Sequence, residues 1–322
     1  MTIPPPDGSR DRRIEDPTNL WLIHPAGRAL LPLAVARGVS ANMVSIAGLM
    51  LGIGAAAAYA QWTRPEFALL GLVLSVGWLM ADGLDGMVAR ATGTASEVGR
   101  ILDGLCDHGV FVLIYLVLAT SIGTLAGWAL AITAGVAHAV QSSLYEGERG
   151  RFHRRIRRLP RPATAHPSRS AAVRLYDSVA GSMERRAGTL DSVLEAQSAD
   201  RTLLDRYTAG AIAPMRLMRL LSANTRVAAI FLACLAGSPA LFWWFEIVPL
   251  TLVLVAGLAW HRRVETEALG TGPSPSLLTK TPQGHHRKLR KSGSPSLASA
   301  IAQARSFRGS SIIAPARTTM SG

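Results

Sequence analysis

Asp82, Asp85, Asp103 and Asp107 fall within 26 residues of sequence, with apolar runs on both sides. A carboxylate at the edge of a bilayer is costly to desolvate unless another charge offsets it. The spacing of the four suggests what that charge is. In a helix running through Arg90, Asp82 and Asp85 stand at i and i+3 and share a face with Gly86 and Ala89. Gly99, Asp103 and Asp107 stand at i, i+4 and i+8, again on one face. The short connection 91–98 lets the two faces oppose each other. Four converging carboxylates repel one another and take up protons unless cations neutralise them. Two hard divalent ions would do so and leave coordination positions for phosphate oxygens. The small residues leave a hollow for a base or a diphosphate. Arg90 can pair with a phosphate or with a carboxylate. Such a set suits phosphoryl transfer, in which one carboxylate accepts the proton of an attacking hydroxyl.

The elements that must position these residues read as membrane helices. The chain has 322 residues, 49% of them hydrophobic and 17% charged, and the apolar residues are clustered. Ala, Leu, Val and Gly dominate the clusters, and small residues permit close helix packing in lipid. Apolar segments at 43–62, 66–81, 108–122, 124–142, 227–244 and 246–261 predict six spans. Of 34 Lys and Arg residues, only Arg64 falls in a connection on the far side when the N-terminus is placed inside. That asymmetry predicts both termini and the aspartates on the cytoplasmic side. The net charge of +13 flanks apolar segments, which suits an anionic lipid surface. No helix-turn-helix, zinc-finger or aromatic-basic pattern supports nucleic-acid binding.

Around this core, residues 1–17 are polar and proline-bearing and are expected to be disordered. Residues 18–38 suggest an interfacial amphipathic helix, interrupted near Pro25 and Pro32. Residues 143–226 form a long inner insertion that is rich in arginine at first and then amphipathic. The tail, 263–322, is expected to be disordered and basic, with His285 and His286 as part of its solvated run. Cys106 and Cys234 lie in or beside apolar runs and read as small buried hydrophobes. The fold class expected is therefore an all-α integral membrane protein, with six transmembrane helices over 39–262, an N-terminal amphipathic helix and a disordered basic tail. A transporter is a poor match. Four carboxylates on two helices exceed an ion site, and no inverted repeat is visible.

Residues 82–107 follow the pattern D-x2-D-G-x2-A-R-x8-G-x3-D-x3-D at all eight fixed positions. In this the chain resembles the CDP-alcohol phosphotransferases. Asn42 and Thr225-Arg226 are weaker echoes of that family. The resemblance implies two divalent metal ions, Mg2+ or Mn2+. Asp82, Asp85, Asp103 and Asp107 would be ligands, with Asp107 also the general base. It implies a CDP pocket shaped by Gly86, Ala89 and Gly99 and fixed by Arg90. It further implies transfer of a phospho-alcohol group from a CDP-linked donor to a hydroxyl acceptor, release of CMP, a place in phospholipid biosynthesis, and a homodimer in a bacterial cytoplasmic membrane. CDP-diacylglycerol is the favoured donor, because a lipid tail explains a site at the bilayer edge. The rivals are a soluble CDP-alcohol donor with a lipid acceptor, and a non-catalytic scaffold. For the acceptor, Arg149, Arg151, Arg154 and Arg155 suggest either a phosphate-binding rim or a membrane-surface anchor, and Arg226 is the best single candidate. His108, following the last aspartate, is expected to be structural.

Overall fold

Ten helices carry the fold in a computed structural model that describes residues 10–159, 189–196 and 201–270. The side chains of residues 97, 98, 100–103 and 196 are outside that description. A π-helical turn, Asn19–Ile23, leads into α1, His24–Ala36. Then come α2, Ala41–Tyr59; α3, Pro65–Thr92; α4, Glu97–Ile122; and α5, Leu125–Ile156. The rest are α6, Thr189–Ala196; α7, Arg201–Met218; α8, Ala223–Leu235; α9, Ala240–Phe245; and α10, Thr251–Gly270.

The local chemistry explains the boundaries that matter for the aspartates. Pro65 opens α3, where a missing N–H costs nothing. Gly93, at φ 66°, ends it in the left-handed conformation that glycine adopts without strain. Ser96 then caps α4, its hydroxyl accepting from the Gly99 N–H at 3.0 Å. The turn between the two aspartate-bearing helices is therefore short and defined at both ends.

Helix α2 packs against both α3 and α4. A Cβ on Gly52 would overlap Val110 of α4, so only glycine allows that approach. Buried Trp78, Phe111, Ile114, Tyr115 and Leu118 join α3 and α4 to Ile230 of α8 and Trp243 of α9. A second core, around Tyr145, Phe152, Leu190, Tyr207 and Leu254, joins α5, α6, α7 and α10.

Among the described residues, four helices are long and apolar enough to cross a bilayer: Ala41–Tyr59, Pro65–Thr92, Gly104–Ile122 and Ala240–Gly270. A fifth arises if Arg201–Leu221 and Ala223–Leu235, bent by 42° at their break, count as one span. Six spans are therefore not confirmed, for two physical reasons. His138 and Gln141 interrupt the apolar run that opens α5. Helix α8 has 13 residues, about 20 Å, too short to cross the hydrocarbon alone.

Three other expectations change. Ile14, Glu15 and Asp16 are buried, within the stretch expected to be disordered. Arg216 Nε donates to the Arg13 carbonyl at 2.7 Å, and Ser222 Oγ donates to Asp16 at 3.1 Å. These partners lie about 200 residues away and leave no local signal. Helix α5 continues through the arginine-rich stretch, so the insertion starts as an extension of the helix before it. Helix α10 reaches Gly270, beyond the expected start of the tail. Residues 1–9, most of 160–200 and 271–322, including the basic cluster at His285 and His286, lie outside the described residues.

Candidate active site

Asp82 of α3 and Asp107 of α4 line one cavity of about 350 Å³. His108, His138 of α5, Arg149 of α5 and Arg226 of α8 also line it. Trp78, one helical turn before Asp82, donates its indole N–H to Asp107 Oδ1 at 3.1 Å. Its ring packs edge-on against Phe111, at 5.2 Å between centroids. Asp85 is buried and does not line this cavity, and it accepts the Ser45 hydroxyl at 2.6 Å. Asp103 occupies α4 at the expected register, but its side chain lies outside the described residues. The two helices thus bring Asp82 and Asp107 to one cavity and place Asp85 against α2.

The small residues behave differently from a simple hollow. A Cβ on Gly86 would lie 3.1 Å from Arg90 Nη1, so Arg90 covers the space beside Gly86. Ala89 lies between them on the same helix. Gly99 opens α4 beside Asn42, whose side-chain oxygen is 3.5 Å from where its Cβ would stand. Asn42 therefore belongs to the neighbourhood of the α3–α4 turn.

The N-terminal segment closes another side. Arg10, Asn19 and His24 line the cavity with Arg149 and Glu146. Asn224 Nδ2 donates to Asn19 Oδ1 at 2.8 Å and fixes this segment to the start of α8. Arg149 pairs with Glu146 at 2.8 Å. Burial disfavours its charge, but Glu146, Tyr145, Glu15 and Asp82 hold its guanidinium above the ordinary range. Arg149 is thus the one expected arginine of the 149–155 stretch that lines the aspartate cavity.

Arg226 is not a free anion site. It is buried, with Nε on Glu246 Oε1 at 2.9 Å, Nη2 on Gln141 Oε1 at 2.9 Å, and Nη1 on the Leu221 carbonyl. His138 Nδ1 lies 3.6 Å from the same Glu246 carboxylate. This polar floor joins α5, α8 and the Glu246–Leu250 turn, and a buried arginine with three partners has little left for a substrate phosphate.

The remaining arginines form a separate cluster. Arg155 pairs with Asp191 and, at 2.6 Å, with Glu265. Arg151 reaches Glu148 at 2.9 Å, and Arg262 bridges Glu148 and Glu265 at 2.9 and 2.6 Å. His261 Nδ1 is 2.8 Å from Glu148 Oε2, and its Nε2 is 3.0 Å from the Tyr207 hydroxyl. Burial alone would raise the Glu148 carboxyl, yet the His261 hydrogen bond and the Arg151 and Arg262 charges outweigh it and hold the pKa at about 2. Arg151, Arg154 and Arg155 are therefore buried ion-pair partners, neither a phosphate rim nor a surface anchor.

Glu148, His261 and Glu265 also place one ligand atom each within 4.8 Å of one another, which makes them a candidate divalent-metal site among the described residues. Arg151, Arg155 and Arg262 already neutralise these carboxylates, so a cation here has to displace an arginine.

Trp78, Ser45 and His138 are site residues that the aspartate pattern does not reveal. Trp78 had a signal, standing four residues before Asp82 on the same face. A histidine inside an apolar run was the signal for His138. Ser45 had none.

A protein-family model described as CDP-alcohol phosphatidyltransferase matches residues 38–146. No curated protein and no solved structure matches the chain.

Proposed function

We propose that this chain, which matches the CDP-alcohol phosphatidyltransferase family model over residues 38–146, transfers a phospho-alcohol group from a CDP-linked donor to a hydroxyl acceptor, releasing CMP. The observation that carries this reading is the cavity shared by Asp82 and Asp107, with Trp78 fixing the second carboxylate. The favoured donor is CDP-diacylglycerol, since the cavity lies between helices apolar enough to cross a bilayer. The cytoplasmic side, where the bases concentrate, is the side assigned to the site.

The donor set fits hard divalent cations. Asp82, Asp85, Asp103 and Asp107 offer carboxylate oxygens alone, the ligands that Mg2+ and Mn2+ prefer. Ser45 and Trp78 each donate a hydrogen bond to one of these carboxylates, the outer support that orients metal ligands. Bound there, two such ions would polarise the diphosphate and stabilise the charge on the leaving CMP.

The chain's own groups do the rest. Asp107 accepts the proton of the acceptor hydroxyl at its carboxylate, while Trp78 holds Oδ1 in place. Arg149, and Arg10 of the N-terminal segment, offer guanidinium groups to phosphate oxygens in the same cavity. Gly86, Ala89 and Gly99 would bound the cytidine, and Arg90, whose guanidinium lies beside Gly86, would pair with the nucleotide phosphates. Arg226 and Glu246 keep the floor rigid.

The direct test is CMP release by the purified chain with Mg2+ and CDP-diacylglycerol across a panel of hydroxyl acceptors. CMP formed with one acceptor and abolished by chelation is the expected result. If no acceptor yields CMP with lipid or soluble CDP-alcohol donors, the transferase reading fails.

A further inference from the structure

The turn Asn19–Ile23 has two unlike faces. Asn19 and Ile23, one turn apart, line the aspartate cavity with His24. Ile23 is 2% exposed, and its Cγ2 lies 3.3 Å from where a Cβ on Gly83 would stand, so it seats on α3 beside Asp82. Between them, Trp21 and Leu22 face outward, 78% and 48% exposed. Leu30, Leu33 and Val35 of α1 are exposed as well. Residues 37–40 then lead into α2, whose exposed row Met43, Ile46, Met50 and Ile53 belongs to a helix able to cross a bilayer. The outer face of the turn thus continues into the lipid-facing side of α2, and a bilayer surface is the partner that this continuity fits. Tryptophan prefers that boundary, where its ring stays apolar and its N–H finds water or headgroups.

The inner face is tied to the charged groups of the cavity. Asn224 of α8 donates to Asn19 Oδ1 at 2.8 Å, and Asn19 Nδ2 donates to Glu15 at 2.7 Å. Glu15 in turn pairs with Arg10 at 3.4 Å, and Arg10 lines the cavity. The Asn19 amide, with both its ends in use, therefore links Arg10 to the helix bundle. A shift of the turn takes Ile23 off α3 and Arg10 away from the cavity together. Such π-helical turns are rare and collect at functional sites. We propose that the turn Asn19–Ile23 couples the bilayer surface to the aspartate cavity. With Trp21 and Leu22 in the headgroup layer, segment 10–24 closes over the cavity; without that anchorage it opens. The coupling rests on the transferase reading for the reaction it serves, but not for whether lipid holds the turn.

The test uses the full chain in nanodiscs of phosphatidylcholine and phosphatidylglycerol, with backbone hydrogen exchange followed by mass spectrometry. Trp21→Ser should speed exchange over residues 10–24 about tenfold or more, the order expected when a large apolar side chain loses its burial. Trp21→Phe should keep most of the protection there. Trp244 of α9 is also exposed but lies outside this segment, and Trp244→Ser should leave residues 10–24 unchanged. In the same nanodiscs, Trp21→Ser should raise the KM for CDP-diacylglycerol about tenfold and leave kcat near wild type, a split that general loss of fold does not give. Exchange over residues 10–24 that Trp21→Ser leaves unchanged, or that Trp244→Ser raises equally, would overturn the proposal. Protection that disappears in nanodiscs holding a single copy would assign Trp21 to a second copy of the chain and overturn it too. Exchange needs no turnover. Faster exchange in Trp21→Ser without CMP release by wild type would sink the transferase reading alone, and an active enzyme with an unchanged segment would sink the coupling alone.

Discussion

Trp78 and Asp107 carry the proposed chemistry at the scale of single residues. A half-buried carboxylate keeps its orientation when a fixed donor holds one of its oxygens, and the buried Trp78 N–H is such a donor. Trp78→Phe preserves the packing on Phe111 and removes the hydrogen bond. CMP release should fall about 10-fold to 100-fold, the equivalent of about 1–3 kcal/mol for an orphaned partner. An unchanged rate would show that Asp107 needs no such orientation. Arg155 makes the opposite kind of case. Its partners Asp191 and Glu265 are 36 and 110 residues away, so its burial was invisible in a run that reads as basic surface. Arg155→Ala leaves two buried carboxylates short of a cation and should destabilise the fold by about 3–5 kcal/mol. Denaturant titration in detergent measures this. A stable variant with a raised acceptor KM would instead restore the phosphate-rim reading of that arginine. The aspartates were legible because helical spacing alone puts them on faces. Arg226 was not, since Glu246 and Gln141 reach it from other helices.

Among the elements, α3 and α4 followed their sequence signals closely. Proline and glycine mark the ends of α3, a serine caps α4, and the aspartates lie on either side of the turn between them. The less legible elements were those whose partners lie far along the chain. The N-terminal segment reads as polar and loose, but hydrogen bonds to α7 and the start of α8 order it. Helix α5 reads as a span with an arginine-rich insertion after it, while its 32 residues continue as one helix because buried carboxylates receive its arginines. Helix packing also sets which glycines matter. Gly52 lets α2 approach α4 beside Asp107, where a Cβ would overlap Val110. Gly52→Val should therefore separate the two helices and destabilise the protein by about 1–3 kcal/mol or more. Thermal unfolding followed by tryptophan fluorescence reads the change. A midpoint equal to wild type would mean that α2 and α4 pack less tightly than this geometry requires.

At the scale of the molecule, a four-to-five-span helical core carries a polar end held by buried ion pairs. That end should make stability depend on pH. Burial, with the Arg149 and Arg157 charges, holds His153 down to about 4 from its ordinary value of 6.5. The unfolded chain then binds more protons between those values, so stability falls as pH drops from about 6.5 towards 4. Glu148 has its pKa lowered from 4.5 to about 2, and its contribution is present above about 4.5 and is lost as pH falls towards 2. Unfolding midpoints in detergent should decline in both windows, and His153→Gln should flatten the upper one. A profile unchanged by that substitution would place the acid sensitivity elsewhere.

The central claim is that Asp107, supported by Trp78 and sharing a cavity with Asp82, takes the acceptor's proton. Asp107→Asn tests it most directly, with CMP release and CDP-donor binding measured on the same preparation. Turnover should fall by about 10²-fold or more, as for loss of a general base, while donor affinity stays close to wild type. Near-wild-type turnover in that variant would contradict the account.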